Sequence, residues 1–122
     1  MLLENVDLKG QRTLAKVEIT NIGFETLYFL EQYMVEFISN PESLSEQLLD
    51  IAAHKLAKYP DVCPVCPELE HIGVFDYLQL TVDSDYKILY RYDKPADTVF
   101  VTAFMRAKQS AEKLLVRFAL LS

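Results

Sequence analysis

Between residues 15 and 20 apolar and polar side chains alternate, Ala15-Lys16-Val17-Glu18-Ile19-Thr20, which is the two-residue period of a strand buried on one face. From Phe24 the period lengthens. Phe24, Leu27, Tyr28, Leu30, Met34, Phe37 and Ile38 recur at three- and four-residue steps and leave Glu25, Glu31 and Glu36 for solvent, a pattern that predicts an amphipathic helix. Asn40-Pro41 interrupts it. Ser43-Leu44-Ser45-Glu46 then reads as a capping box, and Leu44, Leu48, Ile51, Ala52, Lys55 and Leu56 mark a second helical face. So short a connection predicts an antiparallel helical hairpin.

Pro60, Pro64 and Pro67 end the hairpin and carry the chain to another layer. Beyond them the stretches 74–82, 86–93 and 98–105 are rich in β-branched and aromatic residues, separated by Asp83-Ser84-Asp85 and Lys94-Pro95-Ala96-Asp97. They predict an antiparallel meander. If the second turn closes symmetrically, Asp93 faces Thr98 and Tyr86 faces Met105. One sheet face then collects Tyr86, Ile88, Tyr90 and Tyr92 with Met105, Ala103, Val101 and Val99, joined by Leu78, Leu80 and Val82, and is expected to lie on the helical hairpin. The other face carries Lys87, Leu89, Arg91 and Asp93 with Phe104, Thr102, Phe100 and Thr98, beside Tyr77, Gln79 and Thr81, and is expected to be open. Ala111, Leu114, Leu115, Phe118 and Leu121 predict a closing helix.

The composition fits this picture of one α+β domain spanning residues 1–122, with residues 1–14 read as a flexible N-terminal extension. Half of the chain is hydrophobic (51%) and a quarter charged (25%), as in ordinary globular proteins. No apolar run reaches the roughly 18 residues of a membrane span, and the first residues lack the basic and apolar regions of a secretion signal. A cytoplasmic protein without membrane contact is expected.

Charge changes the picture more by its distribution than by its sum of −6. Residues 1–70 hold five basic and twelve acidic side chains, residues 71–122 seven and six. The net acidity disfavours a purely electrostatic nucleic-acid binder, so no direct DNA binding is expected. The second half concentrates cations: Arg106 where the last strand ends, Lys108 and Gln109 in the following connection, Lys113 in the last helix, and Lys87 and Arg91 on the open face. Cations beside aromatics suit an RNA or an acidic protein groove. Equally, strands expose Lys and Arg for solubility and to discourage edge pairing.

Other chemistry is sparse. Gly10, Gly23 and Gly73 are isolated, so no phosphate-cradling loop is present, and no hydrolase or metalloprotease motif occurs. His54 and His71 read as surface or boundary histidines rather than general bases. Cys63-Pro64-Val65-Cys66 has a Cys-x-x-Cys spacing, but a structural zinc site wants four ligands and only His71 and His54 are candidates to complete it. A redox pair wants a helix after its first cysteine, which Pro67 and the strand-like sequence beyond it do not promise. The segment reads as two reduced, partly packed thiols in a proline-stiffened connection, with metal and redox chemistry as alternatives, and no cofactor is implied.

The order strand, helix, helix, three-strand meander, helix meets two sequence stretches, Asp85-Tyr86-Lys87-Ile88-Leu89-Tyr90-Arg91-Tyr92 and Val99-Phe100-Val101-Thr102-Ala103-Phe104-Met105-Arg106-Ala107-Lys108-Gln109-Ser110. Together they resemble the tyrosine-bearing third strand and the following basic turn of RelE/ParE toxins, over residues 73–121 by motif and 15–58 by topology. The resemblance implies a mostly antiparallel four-stranded sheet packed on a helical hairpin, and the toxin half of a type II toxin-antitoxin pair, neutralised by a cognate antitoxin. RelE-like members cleave messenger RNA on the ribosome and ParE-like members inhibit DNA gyrase. The positions that RelE-like cleavage uses fall here on Tyr77, Gln79, Lys87, Ala107 and Lys113, so most of that set is missing. The resemblance therefore implies a ParE-like inhibitor with gyrase as target and no catalytic residues of its own. Arg106, Lys108 and Gln109 are the expected contacts, supported by Lys87, Arg91 and Lys113. A RelE-like ribonuclease and a non-toxic interaction domain of the same fold stay as alternatives.

Overall fold

A computed structural model describes residues 13–118. Residues 1–12, most of the stretch read as an N-terminal extension, and Leu121 of the closing helix lie outside that range. The element order is β1 (Lys16–Ile19), α1 (Asn21–Met34), α2 (Pro41–Lys58), α3 (Pro67–His71), β2 (Leu78–Val82), β3 (Tyr86–Asp93), β4 (Thr98–Arg106) and α4 (Ala111–Arg117). The four strands form one sheet in the order β1-β4-β3-β2, with β1 parallel to β4 and the other pairs antiparallel. This is the expected α+β architecture.

Both hairpin helices begin earlier than the apolar pattern suggests, because their caps lie outside it. Thr20 caps α1 by accepting the Gly23 amide at 3.0 Å, and Asn40 caps α2 by accepting the Ser43 amide at 3.2 Å. Pro41 opens α2 where its missing N–H costs nothing. The reading of Ser43 as the cap is thus corrected. Ser45 faces α1 instead and donates to Glu31 Oε2 at 2.6 Å, tying the two helices together. The buried stripe of α1 is Gly23, Thr26, Leu27 and Leu30, whereas Phe24, Tyr28 and, beyond the helix, Phe37 are exposed. Aromatics surround this helix, so periodicity alone places the stripe one step off.

The helical hairpin covers one sheet face. Leu27, Leu30, Leu48, Ala52 and Leu56 pack on Leu80, Val82, Ile88, Tyr90, Val99, Val101 and Phe104, each large apolar side chain contributing about 1.5–3 kcal/mol by leaving water. The turn into β3 is tight. Asp83 and Ser84 both take positive φ, as a mirror-image hairpin turn requires, and the Asp85 amide closes it on the Val82 carbonyl at 3.0 Å.

The β3–β4 register follows the symmetric expectation from Asp93↔Thr98 to Tyr90↔Val101 and then slips, so that Leu89 faces Ala103 and Tyr86 faces Arg106. Thr102 is the extra residue of a bulge, and beyond it every side chain of β4 changes face. Phe104 therefore joins the helical-hairpin core while Ala103 and Met105 turn away from it, the reverse of the expectation. Helix α1 is pressed onto this point. The Thr20 amide and hydroxyl both donate to the Val101 carbonyl at 3.0 Å, and a Cβ on Gly23 would stand 2.6 Å from that same oxygen. The Phe104 amide donates to Thr26 Oγ1 at 3.0 Å.

The second sheet face is not open along its length. Leu89, Ala103, Met105 and Tyr77 are sealed by Leu69 and Cys66 from the α3 region and by Ala111, Leu114 and Leu115 of α4. Helix α3 was not expected, and it corrects the statement that no helix follows Pro67. Residues 74–77 lie outside β2, which begins at Leu78. Val65 bridges Leu78, with the Cys66 amide on the Tyr77 carbonyl at 2.8 Å and the Gln79 amide on the Pro64 carbonyl at 2.9 Å.

Candidate functional site

Where β4 leaves the sheet, Arg106 lies opposite Tyr86. The Ala107 amide donates to the Asp85 carbonyl at 2.7 Å and the Gln109 amide to the Arg106 carbonyl at 3.1 Å. Gln109 also turns its Oε1 back to the Arg106 amide at 3.4 Å. This knot fixes the connection that carries the cations. The Arg106 guanidinium stands 4.0 Å from the centre of the Tyr33 ring, and Tyr33 stacks in turn on Phe37 at 5.2 Å and 23°. An open depression of about 290 Å³ beside them is lined by Met34, Ser84, Asp85, Tyr86, Arg106, Ala107 and Lys108. Burial, then the Asp85 carboxylate, raise the Tyr86 phenol above its ordinary value, so it is a neutral hydroxyl at physiological pH.

A second depression of about 230 Å³ adjoins it along α4, lined by Phe29, Gln109, Ser110, Lys113, Leu114 and Arg117. Arg117 lies 4.4 Å over the Phe29 ring. Phe29 and Tyr33 are one helical turn apart on α1, and each carries an arginine from a different element. That aromatic row was missed in the sequence. Its signal is the four-residue spacing of Phe29, Tyr33 and Phe37, hidden among the other apolar residues of α1.

Of the six expected contacts, Arg106, Lys108, Gln109 and Lys113 line these two adjoining depressions. Arg91 does not. It is exposed near the far end of β3, 5.8 Å from the Tyr77 ring centre, in a separate groove of about 370 Å³ with Asp76, Tyr92, Asp93 and Phe100. Lys87 corrects the expectation outright, because it is buried (7% exposed). The register places it on the face that α3 and α4 cover, and its Nζ lies 4.0 Å from Glu68 Oε1.

Glu68 explains why α4 closes there. Its carboxylate accepts the Ser110 hydroxyl at 2.7 Å and the Ala111 and Glu112 amides at 2.8 and 3.0 Å, taking up free N–H groups at the start of α4. Ser110 adds the Lys113 amide at 3.1 Å. Burial opposes ionisation of Glu68, but the Ser110 hydroxyl, the two amides and Lys87 together hold its carboxyl below the usual carboxylate range. Among the described residues no group of three or more His, Cys, Asp or Glu side chains is placed to hold a metal ion, and no helix is long and apolar enough to cross a membrane. Cys63 and Cys66 are both free thiols.

No protein-family model and no curated protein matches the sequence. Solved structures do. A chain of the toxin-antitoxin complex RelBE2 from Mycobacterium tuberculosis superposes with a TM-score of 0.58 at 19% identity, covering 77% of this chain and 99% of that one. The chain has the RelE-type toxin fold. A mutant of the Escherichia coli toxin RelE in the free state superposes with a TM-score of 0.50 at 13% identity, over 89% of this chain and 100% of that one. The sequence resemblance assigns RelE-like cleavage to the positions of Tyr77, Gln79, Lys87, Ala107 and Lys113. Tyr77 and Lys87 are buried, Gln79 and Ala107 are uncharged, and only Lys113 is an exposed cation.

Proposed function

We propose that this chain is the toxin of a type II toxin-antitoxin pair and that it acts by contact with a target protein, as a ParE-like inhibitor of DNA gyrase, rather than by cutting RNA. The observation that carries the reading is the fate of the second sheet face. Cleavage by attack of a ribose 2′-hydroxyl needs a proton acceptor and cations about the phosphate. Here Lys87 is covered and bound to Glu68, and α4 lies over Leu89, Ala103 and Met105. The cations left accessible around the β4–α4 connection instead include Arg106, which is partly exposed, Lys108 and Lys113, set beside the aromatic row of α1. Charge at a rim of this kind steers and orients a macromolecular partner. A cognate antitoxin neutralises the toxin by covering this edge, its tail folding as it binds.

Expression of the chain alone tests the proposal through growth, plasmid supercoiling and transcript mapping. Growth arrest with lost gyrase supercoiling and intact transcripts is the expected result. The fold likeness to RelE proteins favours ribosome-dependent cleavage as the second reading, and codon-positioned transcript cuts would establish it in place of the first. Unimpaired growth would identify a non-toxic interaction domain.

A further inference from the structure

Helix α1 carries a second row beside its aromatic one. Glu25, Gln32 and Glu36 follow one another at seven- and four-residue steps, which places them on one side of a helix, and all three are exposed. Glu36 lies in the turn that prolongs α1, where the Phe37 and Ile38 amides donate to the Met34 carbonyl at 2.9 and 3.0 Å. Phe29 and Tyr33 stand between this acidic row and the buried stripe of Gly23, Thr26, Leu27 and Leu30, so the aromatic row has glutamates along one flank and the cations of β4 and α4 along the other. The strip between them is open to solvent, with Phe37 62% and Tyr33 43% exposed. Charges of both signs border it without meeting. Among the described residues the ion pair is that of Lys87 with Glu68, and Glu25 and Glu36 have none. Arg106 and Arg117 lie over rings, a contact that uses the face of a guanidinium and leaves N–H donors at its edge.

We propose that this strip is an interface between two copies of the chain, related by a two-fold axis that runs along α1. Rotation about that axis lays the acidic row of each copy over the cationic row of the other and brings the aromatic strips face to face. Glu25 then meets Arg117 and Glu36 meets Arg106, each pair occurring twice. The same charges disfavour a two-fold axis across α1, which would set Glu25 against Glu36. A partner of a single sign satisfies one row and is opposed by the other. A second copy carries both rows in the complementary order. Exposed aromatic surface rimmed by charge is the kind of patch that such contacts bury. The inference concerns the free chain and does not rest on its being a toxin.

Sedimentation of the full chain over a range of concentrations should show a monomer–dimer equilibrium. Arg117→Glu and Glu25→Lys should each weaken the dimer about tenfold, because either substitution reverses a charge in both symmetry-related pairs. The two variants mixed should associate as tightly as the wild type, since their heterodimer again sets opposite charges together at both places. Mixing separates a pair formed between copies from one formed within a chain. Association that survives both reversals, or no gain on mixing, overturns the inference. A monomer at every concentration also overturns it and leaves the strip to an acidic partner, which binding of a polyglutamate peptide would show. Should either variant fail to fold, Arg106→Glu and Glu36→Lys serve in the same mixing experiment with the same outcomes.

Discussion

The Phe104 amide donates to the hydroxyl of Thr26 at 3.0 Å, across 78 residues of sequence and at the point where the β3–β4 ladder slips by one. A bulge frees backbone groups that the ladder no longer pairs. Thr26 accepts one of them, and its hydroxyl donates in turn to the Gly23 carbonyl at 2.8 Å. Thr26→Val keeps the shape and removes both bonds, leaving the Phe104 N–H buried without a partner. Urea denaturation should show a loss of about 1–3 kcal/mol, the penalty of an unsatisfied buried donor. An unchanged midpoint would mean that the bulge does not depend on this hydroxyl.

Gly23→Ala sets two effects against each other. Alanine is the better helix former by up to about 1 kcal/mol, but its methyl would stand 2.6 Å from the Val101 oxygen. Backbone must shift to admit it, at about 1–3 kcal/mol. The steric term wins, so the melting temperature should fall. A rise would show that α1 can move off the sheet at no cost.

Glu68 makes stability depend on pH in a direction that follows from its bonds. Its folded carboxyl is held below its ordinary value of 4.5, so its contribution is complete above that value and is lost as pH falls through the lower, folded one. Glu68→Gln should destabilise the chain at pH 7 by about 1 kcal/mol, the size of a lost helix cap, because a carboxylate this exposed is partly screened by solvent. The gap between wild type and variant should narrow below pH 4.5. A gap that is constant with pH would remove the charged cap from the account.

Arg106 and Lys87 separate contact from packing. Arg106→Ala loses a partly exposed cation–π pair, about 0.5–1 kcal/mol, and should weaken growth inhibition at equal protein abundance. Lys87→Met replaces a buried cation with an apolar chain of similar length, a change that is often near neutral for a covered ion pair. It should leave any inhibition intact. Inhibition abolished by Lys87→Met in a folded protein would return this lysine to the working surface.

The strands and the meander of the last three were legible because β-branched and aromatic runs between turn residues carry that signal, and the register was right from Asp93 to Tyr90. It failed beyond Val101 because the bulge at Thr102 is met by α1, whose Thr20, Gly23 and Thr26 carry no local mark of that contact. Helix α3 escaped notice because five residues between Cys66 and Ile72 show no period. Its absence from the expectation hid Glu68, and with Glu68 the reason Lys87 is covered. The contiguous cations Arg106, Lys108 and Lys113 were legible because they lie close in sequence. Their aromatic partners Phe29 and Tyr33 were not, being brought to them only by tertiary packing.

The short bridge at Val65 bears on how a second polypeptide could join this sheet. An extended peptide adds to a sheet by capturing free N–H and C=O groups along an outer strand. Around β2 the Tyr77 carbonyl and the Gln79 amide are already engaged by the chain's own Cys66 and Pro64, while β1 offers only four residues. Strand addition at the β2 border is blocked at its start, and recognition at that point must run through side chains.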